Sequence, residues 1–302
     1  MTDLSEFVSF VAEKSKVKNL RLIEKDIILH KILSEIYASK LGKKYLFKGG
    51  SCLVKCYFGY YRFSVDLDFT WADQKTWKGL GKRKLRKKLL NEIEDFGSLI
   101  ENVSKRIGFE FESELGNKKF MEFGGGARMV TFKLWKDLEL IKIQINFVEQ
   151  LLFQSKIVLA KTLLNKVKLK RDEEAYFEEI LQFYKPIKIK AYDEREILCE
   201  KVRAILTRKT QKLRDFYDLF LLDKHGFKVE DLKDEIVEKV RFALHYKKYM
   251  DALKRNKEQF RISKEVLEDP FERELFISKP TKDFEDYSSK LTKVLKEIVI
   301  EV

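Results

Sequence analysis

The stretch Phe47 to Trp71, FKGGSCLVKCYFGYYRFSVDLDFTW, sets two glycines and a serine in front of an apolar, aromatic run that closes on Asp66-Leu67-Asp68. Lys44 to Phe47 reads as a short strand, Gly49-Gly50-Ser51 as a turn, Cys52 to Phe58 as a helix-like segment, and Arg62 to Thr70, by its alternation, as a second strand. Asp66 and Asp68 lie two residues apart, so on a strand both carboxylates project from the same face. Two like charges held so close are costly without a counter-ion. A divalent cation relieves that repulsion, and magnesium takes oxygen ligands and usually brings substrate phosphates into its shell. A bare Asp-x-Asp is more often a pair of solvated strand carboxylates, so the residues upstream decide the matter.

Glycines at a strand-to-helix turn let backbone N–H groups approach a phosphate, and a serine hydroxyl adds a hydrogen bond. Lys48, Gly49, Gly50 and Ser51 are therefore the candidate nucleotide-binding residues, and Asp66 and Asp68 the candidate metal ligands. No Gly-Lys-Ser/Thr follows at the spacing of a Walker loop, which excludes a P-loop NTPase.

The rest of the chain narrows the class. With 302 residues, 44% of them hydrophobic and 24 of them Phe, it can build a sizeable core in one large or two modest domains. No apolar run approaches the ~20 residues of a membrane span, and Asp3 and Glu6 sit where a signal peptide would be basic, so a cytoplasmic location is expected. Three cysteines without zinc-knuckle spacing read as reduced core thiols, and three scattered histidines argue against a histidine-based site. The net charge of +13 suits a polyanionic partner. Two runs carry much of it: Lys82 to Lys88 holds six basic residues in seven, and Lys201 to Arg214 holds six with no acid between them.

Leu29, Ile32, Leu33, Ile36 and Tyr37 mark an N-terminal amphipathic helix, which Gly42 is expected to end. Lys75 to Arg106 has a charged helical pattern, and Phe109 to Glu112, Ala127 to Leu134 and Glu139 to Phe147 read as further strands between glycine-bearing turns. From Glu194 the pattern is helical almost throughout. The expected division is a core over residues 1–190 and a helical domain over 191–302, with the boundary near Pro186 to Tyr192. The expected fold is thus α/β (α+β): a mixed-sheet core with a helical lead-in and a largely helical C-terminal half.

Glycine-serine followed on the next strand by Asp-x-Asp is the layout of the polymerase-beta-like nucleotidyltransferases. Phe47-Lys48-Gly49-Gly50-Ser51 and Arg62-Phe63-Ser64-Val65-Asp66-Leu67-Asp68 resemble more closely the first motif of the AbiEii/AbiGii nucleotidyltransferase toxin family. Ile23-Glu24-Lys25-Asp26 resembles that family's lead-in, and Glu196 to Leu222 its helical signature, with Lys201, Arg208 and Arg214-Asp215-Phe216-Tyr217-Asp218-Leu219. The resemblance spans roughly residues 20 to 222. It implies transfer of a nucleoside monophosphate from an NTP to an acceptor hydroxyl, with Mg2+ or Mn2+ as cofactor, in the toxin half of a toxin–antitoxin or phage-defence pair. RNA, such as a tRNA 3′ end, is the implied acceptor.

Lys201, Arg208 and Asp215 repeat every seven residues and would share one face of a continuous helix. Lys201 is the candidate contact to the triphosphate, Arg208 and Arg214 are candidates for phosphate or RNA, and Asp215 is a candidate orienting group or base, the whole meeting the core in a cleft. The bland reading of the same residues is a salt-bridge ladder within a helical bundle. One position departs from the superfamily pattern: where a neighbouring strand usually adds a third carboxylate, the equivalent here is Gln144, a neutral amide. Gln144 supports a rival reading as a non-catalytic nucleic-acid or protein-binding module. A nearer alternative replaces RNA with a small hydroxyl acceptor, as in antibiotic-modifying enzymes.

Overall fold

The computed structural model describes residues 3–259, 263–278 and 280–302. The chain forms two compact units, the first from Met1–Glu149 with Lys156–Ala191 and the second from Gln150–Ser155 with Tyr192–Val302.

In the first unit, α1 (Leu4–Ser15) and α2 (Leu20–Ala38) precede β1 (Tyr45–Lys48). The Asn19 side chain caps α2 by accepting from the Leu22 N–H at 3.1 Å, which satisfies one of the orphan donors of the first turn. The helix stops at Ala38, where Ser39 turns extended, rather than at Gly42. Gly42 lies in a following 3-10 turn, where a Cβ would come within 2.7 Å of the Tyr37 Cα. After β1 come α3 (Gly49–Cys52), a π-helical turn (Leu53–Phe58) and β2 (Asp66–Trp71). β2 begins later than the alternation predicts: Arg62 and Phe63 are buried, but residues 63–65 form no strand.

The expected helix over Lys75 to Arg106 divides into a 3-10 turn (Gln74–Trp77) and α4 (Lys82–Ile107), which starts at Gly81 and closes on Gly108. Leu85, Leu89, Ile93, Phe96, Ile100 and Val103 recur at helical spacing and are all buried; complete burial of each such side chain is worth about 1.5–3 kcal/mol. Then follow β3 (Met121–Gly124), β4 (Met129–Lys136), β5 (Glu139–Asn146), β6 (Lys156–Ala160), the short helices α5 (Arg171–Tyr176) and α6 (Glu178–Leu181), and β7 (Ile187–Ala191). The expected strand at Phe109 to Glu112 shrinks to one bridge, Glu110 with Trp135.

All seven strands form one mixed sheet in the order β3-β4-β5-β2-β1-β7-β6. β2 runs parallel to β5 and β1 parallel to β7, the other neighbours being antiparallel. Pairing sorts the side chains between the two faces. Tyr45, Phe69 and Phe132 meet the Phe96 ring of α4, with centroids 5.0, 6.2 and 5.3 Å away, and form the apolar face. Lys48, Asp66, Asp68, Lys142 and Gln144 alternate with these buried residues and share the other face. Residues 187–191, inside the region expected to hold the domain boundary, are a strand paired on both sides.

The second unit contains α7 (Glu194–Thr207), α8 (Leu213–Lys224), α9 (Lys233–Ala243), α10 (Lys247–Gln259), α11 (Lys264–Leu267), α12 (Pro270–Glu274) and α13 (Lys282–Glu301). Leu198, Val202, Phe216, Leu219, Val240, Leu295 and Ile298 build its core. Glu196 ties in the 150–155 segment: one carboxylate oxygen accepts from the Leu152 and Phe153 N–H groups at 2.8 Å each, and the other pairs with fully buried Lys239 at 2.5 Å.

Candidate active site

The glycine turn and the Asp-x-Asp strand are joined in atomic contact. β1 ends at Lys48, and Gly49 follows with φ +74°, in the region that L side chains avoid. A Cβ at Gly49 would lie 2.7 Å from Asp68 Oδ2, so the carboxylate occupies the space that only glycine leaves open. Lys48, 4% exposed, is the register partner of Asp68. Ser51 is also buried. Its hydroxyl donates to the Asp66 carbonyl and lies 2.8 Å from the Ser64 hydroxyl, so it braces the turn against the start of β2.

Asp66 and Asp68 are half-buried, whereas Leu67 and Phe69 on the opposite face are fully buried. Paired carboxylate oxygens on one strand face, both reachable from solvent, suit a hard divalent cation. Across the parallel pairing, Gln144 stands opposite Asp68 and Lys142 opposite Asp66. Among the described residues no three His, Cys, Asp or Glu side chains converge to hold a metal ion.

Lys25, to which sequence reasoning gave no role, also reaches this region. Its Nζ donates to the Leu140 carbonyl at 2.9 Å; burial lowers its pKa, with Asp66 and Glu139 acting in the opposite sense. Its neighbour Asp26 anchors the helix from within the core: Lys55 Nζ lies 2.6 Å away, and the Tyr60 and Tyr184 hydroxyls both donate to it at 2.9 Å. Burial, and then the Lys55 charge, push the pKa of nearby His30 down to about 3, so this histidine is a neutral core residue.

In the second unit the candidate helical face is not continuous. α7 ends at Thr207, Arg208 turns extended, and α8 starts at Leu213. The expected residues still meet, because the helical hairpin folds them together. Lys201 Nζ lies 2.6 Å from both Asp215 and Asp218, and Arg208 lies 2.8 Å from the second oxygen of Asp215. Asp218 belongs to the helical signature and follows Asp215 by three residues, on the same helix face, although the seven-residue repeat does not single it out. Arg214 pairs with Glu272 at 3.1 Å. Burial raises the pKa of Asp215, but Lys201 and Arg208 outweigh it and hold this carboxyl well below its usual range. A carboxylate held so firmly ionised is a poor proton acceptor, and the geometry favours orientation of Lys201 and Arg208 over general-base work.

A glycine turn packed on an Asp-x-Asp strand, within a mixed sheet, is the site layout of a nucleotidyltransferase. The model of the family described as "Nucleotidyl transferase AbiEii toxin, Type IV TA system" matches residues 31–297, and the chain belongs to that family. Among solved structures it is similar to an antigenic nucleotidyltransferase-like protein from Paracoccidioides brasiliensis, at 15% identity over 63% of this chain and 73% of the other. The TM-score is 0.29, so the fold assignment rests on the sheet described above and not on that likeness. No curated protein matches the chain. Among the described residues no helix is long and apolar enough to cross a membrane.

Proposed function

We propose that this nucleotidyltransferase moves a nucleoside monophosphate from an NTP to an RNA hydroxyl. The acceptor oxygen bonds to the α-phosphorus, the bond from that phosphorus to the bridging oxygen breaks, pyrophosphate leaves, and the hydroxyl proton passes to solvent. The observation that carries the reading is the seat of the Asp68 carboxylate against Gly49, which supports treating the turn and the carboxylate pair as one site. N–H groups in the first helical turn after Gly49 lack intrahelical acceptors and suit phosphate oxygens. Asp66 and Asp68 would hold Mg2+ or Mn2+, which when bound neutralises phosphate charge and activates the acceptor oxygen.

RNA as the acceptor is supported by the Lys82 to Lys88 run. Every cation in it is exposed on the first two turns of α4. Cations at a helix N-terminus oppose the macrodipole, so helix stability does not account for them, whereas a phosphate backbone does. Action as a toxin, restrained by an antitoxin in the cytoplasm, is the biological setting that family membership supports.

Incubation with each α-labelled NTP, Mg2+ and total RNA, followed by a denaturing gel, tests the proposal. A labelled RNA band is expected. Label appearing only in small products would replace RNA with a small acceptor, and the absence of any Mg2+-dependent product would overturn the reading.

A further inference from the structure

The polar face of the sheet carries a charge pattern that bears on how many metal ions the site can hold. Asp68 lies between Lys48 of β1 and Gln144 of β5. Asp66 has Lys142 of β5 as its register partner, and Lys133 of β4 stands next to Lys142 in the same row. Lys25 bonds to the Leu140 carbonyl, two residues along β5 from Lys142, and lies within electrostatic range of both Asp66 and Lys142.

Two-metal sites hold their ions about 3.5–4 Å apart. At that spacing two divalent charges repel strongly, and anionic ligands shared between them must compensate. Here the position beside Asp68 on β5 holds Gln144, a neutral amide. The position beside Asp66 holds an ammonium. Among the described residues no third acidic side chain converges on the pair.

We infer that this site takes one divalent cation, the one that arrives with the NTP, and that Lys25 and Lys142 supply positive charge on the Asp66 side where a second ion would otherwise sit. The inference rests on the nucleotidyl-transfer reading above. It makes Gln144, Lys142 and Lys25 determinants of metal stoichiometry, acting through the charge they place around the carboxylates.

The test is ultrafiltration of the full chain with saturating Mn2+ and each α,β-methylene NTP in turn, counting Mn2+ retained per nucleotide retained. One Mn2+ per nucleotide is expected for the parent, with the electron paramagnetic resonance pattern of an isolated ion. The double variant Gln144→Glu/Lys142→Gln is expected to retain two, with the spectrum of an exchange-coupled pair, its fold being checked by its thermal midpoint. Two Mn2+ per nucleotide in the parent would overturn the inference and leave nucleotidyl transfer standing. A folded double variant that still retains one would overturn the assignment to Gln144 and Lys142. Failure of the parent to retain any nucleotide would overturn the transfer reading itself.

Discussion

Replacing Gly49 by alanine isolates the contact on which the site is built. The new methyl would lie 2.7 Å from Asp68 Oδ2, while ordinary contact begins at 3.4 Å, so the carboxylate must retreat by about 0.7 Å. Left-handed backbone at a non-glycine residue adds roughly 1–2 kcal/mol of strain. Misplacement by ~1 Å costs on the order of 10²-fold in turnover when geometry is pre-organised, so a loss of about 10- to 100-fold is expected. Gly108→Ala provides the control. That glycine is also left-handed, with φ +71°, but a Cβ there would meet nothing within 4 Å. Both variants should lose comparable stability in thermal melts without ligand. Only Gly49→Ala should also lose turnover and Mg2+-dependent binding of a non-hydrolysable NTP, measured by calorimetry. Parent-like binding and turnover in Gly49→Ala would refute the claim that this glycine seats a working carboxylate.

Asp66→Asn/Asp68→Asn should abolish Mg2+-dependent binding of the NTP analogue, and unchanged binding and turnover would remove the metal site. Lys201→Ala leaves Asp215 and Asp218 buried without their ammonium partner, and loss of one member of a buried pair costs about 3–5 kcal/mol; an unmoved thermal midpoint would contradict this burial. The pKa of Asp215 is lower in the folded protein than its ordinary value of 3.8, so its stabilising contribution is complete above about pH 4 and disappears as the pH falls through the lowered folded value. Acid melts of parent and Asp215→Asn should therefore converge only below about pH 4, and a difference that fades nearer neutrality would refute that assignment. Changing Lys82, Arg83, Lys84, Arg86, Lys87 and Lys88 to Gln should weaken RNA binding and flatten its log–log salt dependence by about 0.7–0.9 for each phosphate that is no longer neutralised. NTP binding should survive, and an unaltered slope would clear this run of any RNA role.

The features legible in the amino-acid sequence are local ones. The order of strand, glycine turn, short helix and strand between Tyr45 and Trp71, the common face of Asp66 and Asp68, the buried stripe of α4 and the helical second unit all follow from short-range periodicity and backbone preference. The motif resemblance also singles out Gln144, and the register places it opposite Asp68. Short strands carry little periodic signal, so β3, β6 and β7 are not legible in it; most of Pro186 to Tyr192 is the strand β7, and the first unit ends at Ala191, within that segment. Even the break between α7 and α8 escapes a seven-residue repeat, although the ion pairs that repeat implies do form across the hairpin. Tertiary structure alone reveals that the Ser51 hydroxyl braces β2, that Lys201 is buried between two carboxylates, and that Lys25 and Lys142 come to the side of Asp66. Each depends on long-range pairing that brings distant residues into one register, and the energy that selects it comes from burying the opposite, aromatic face of the sheet against α4.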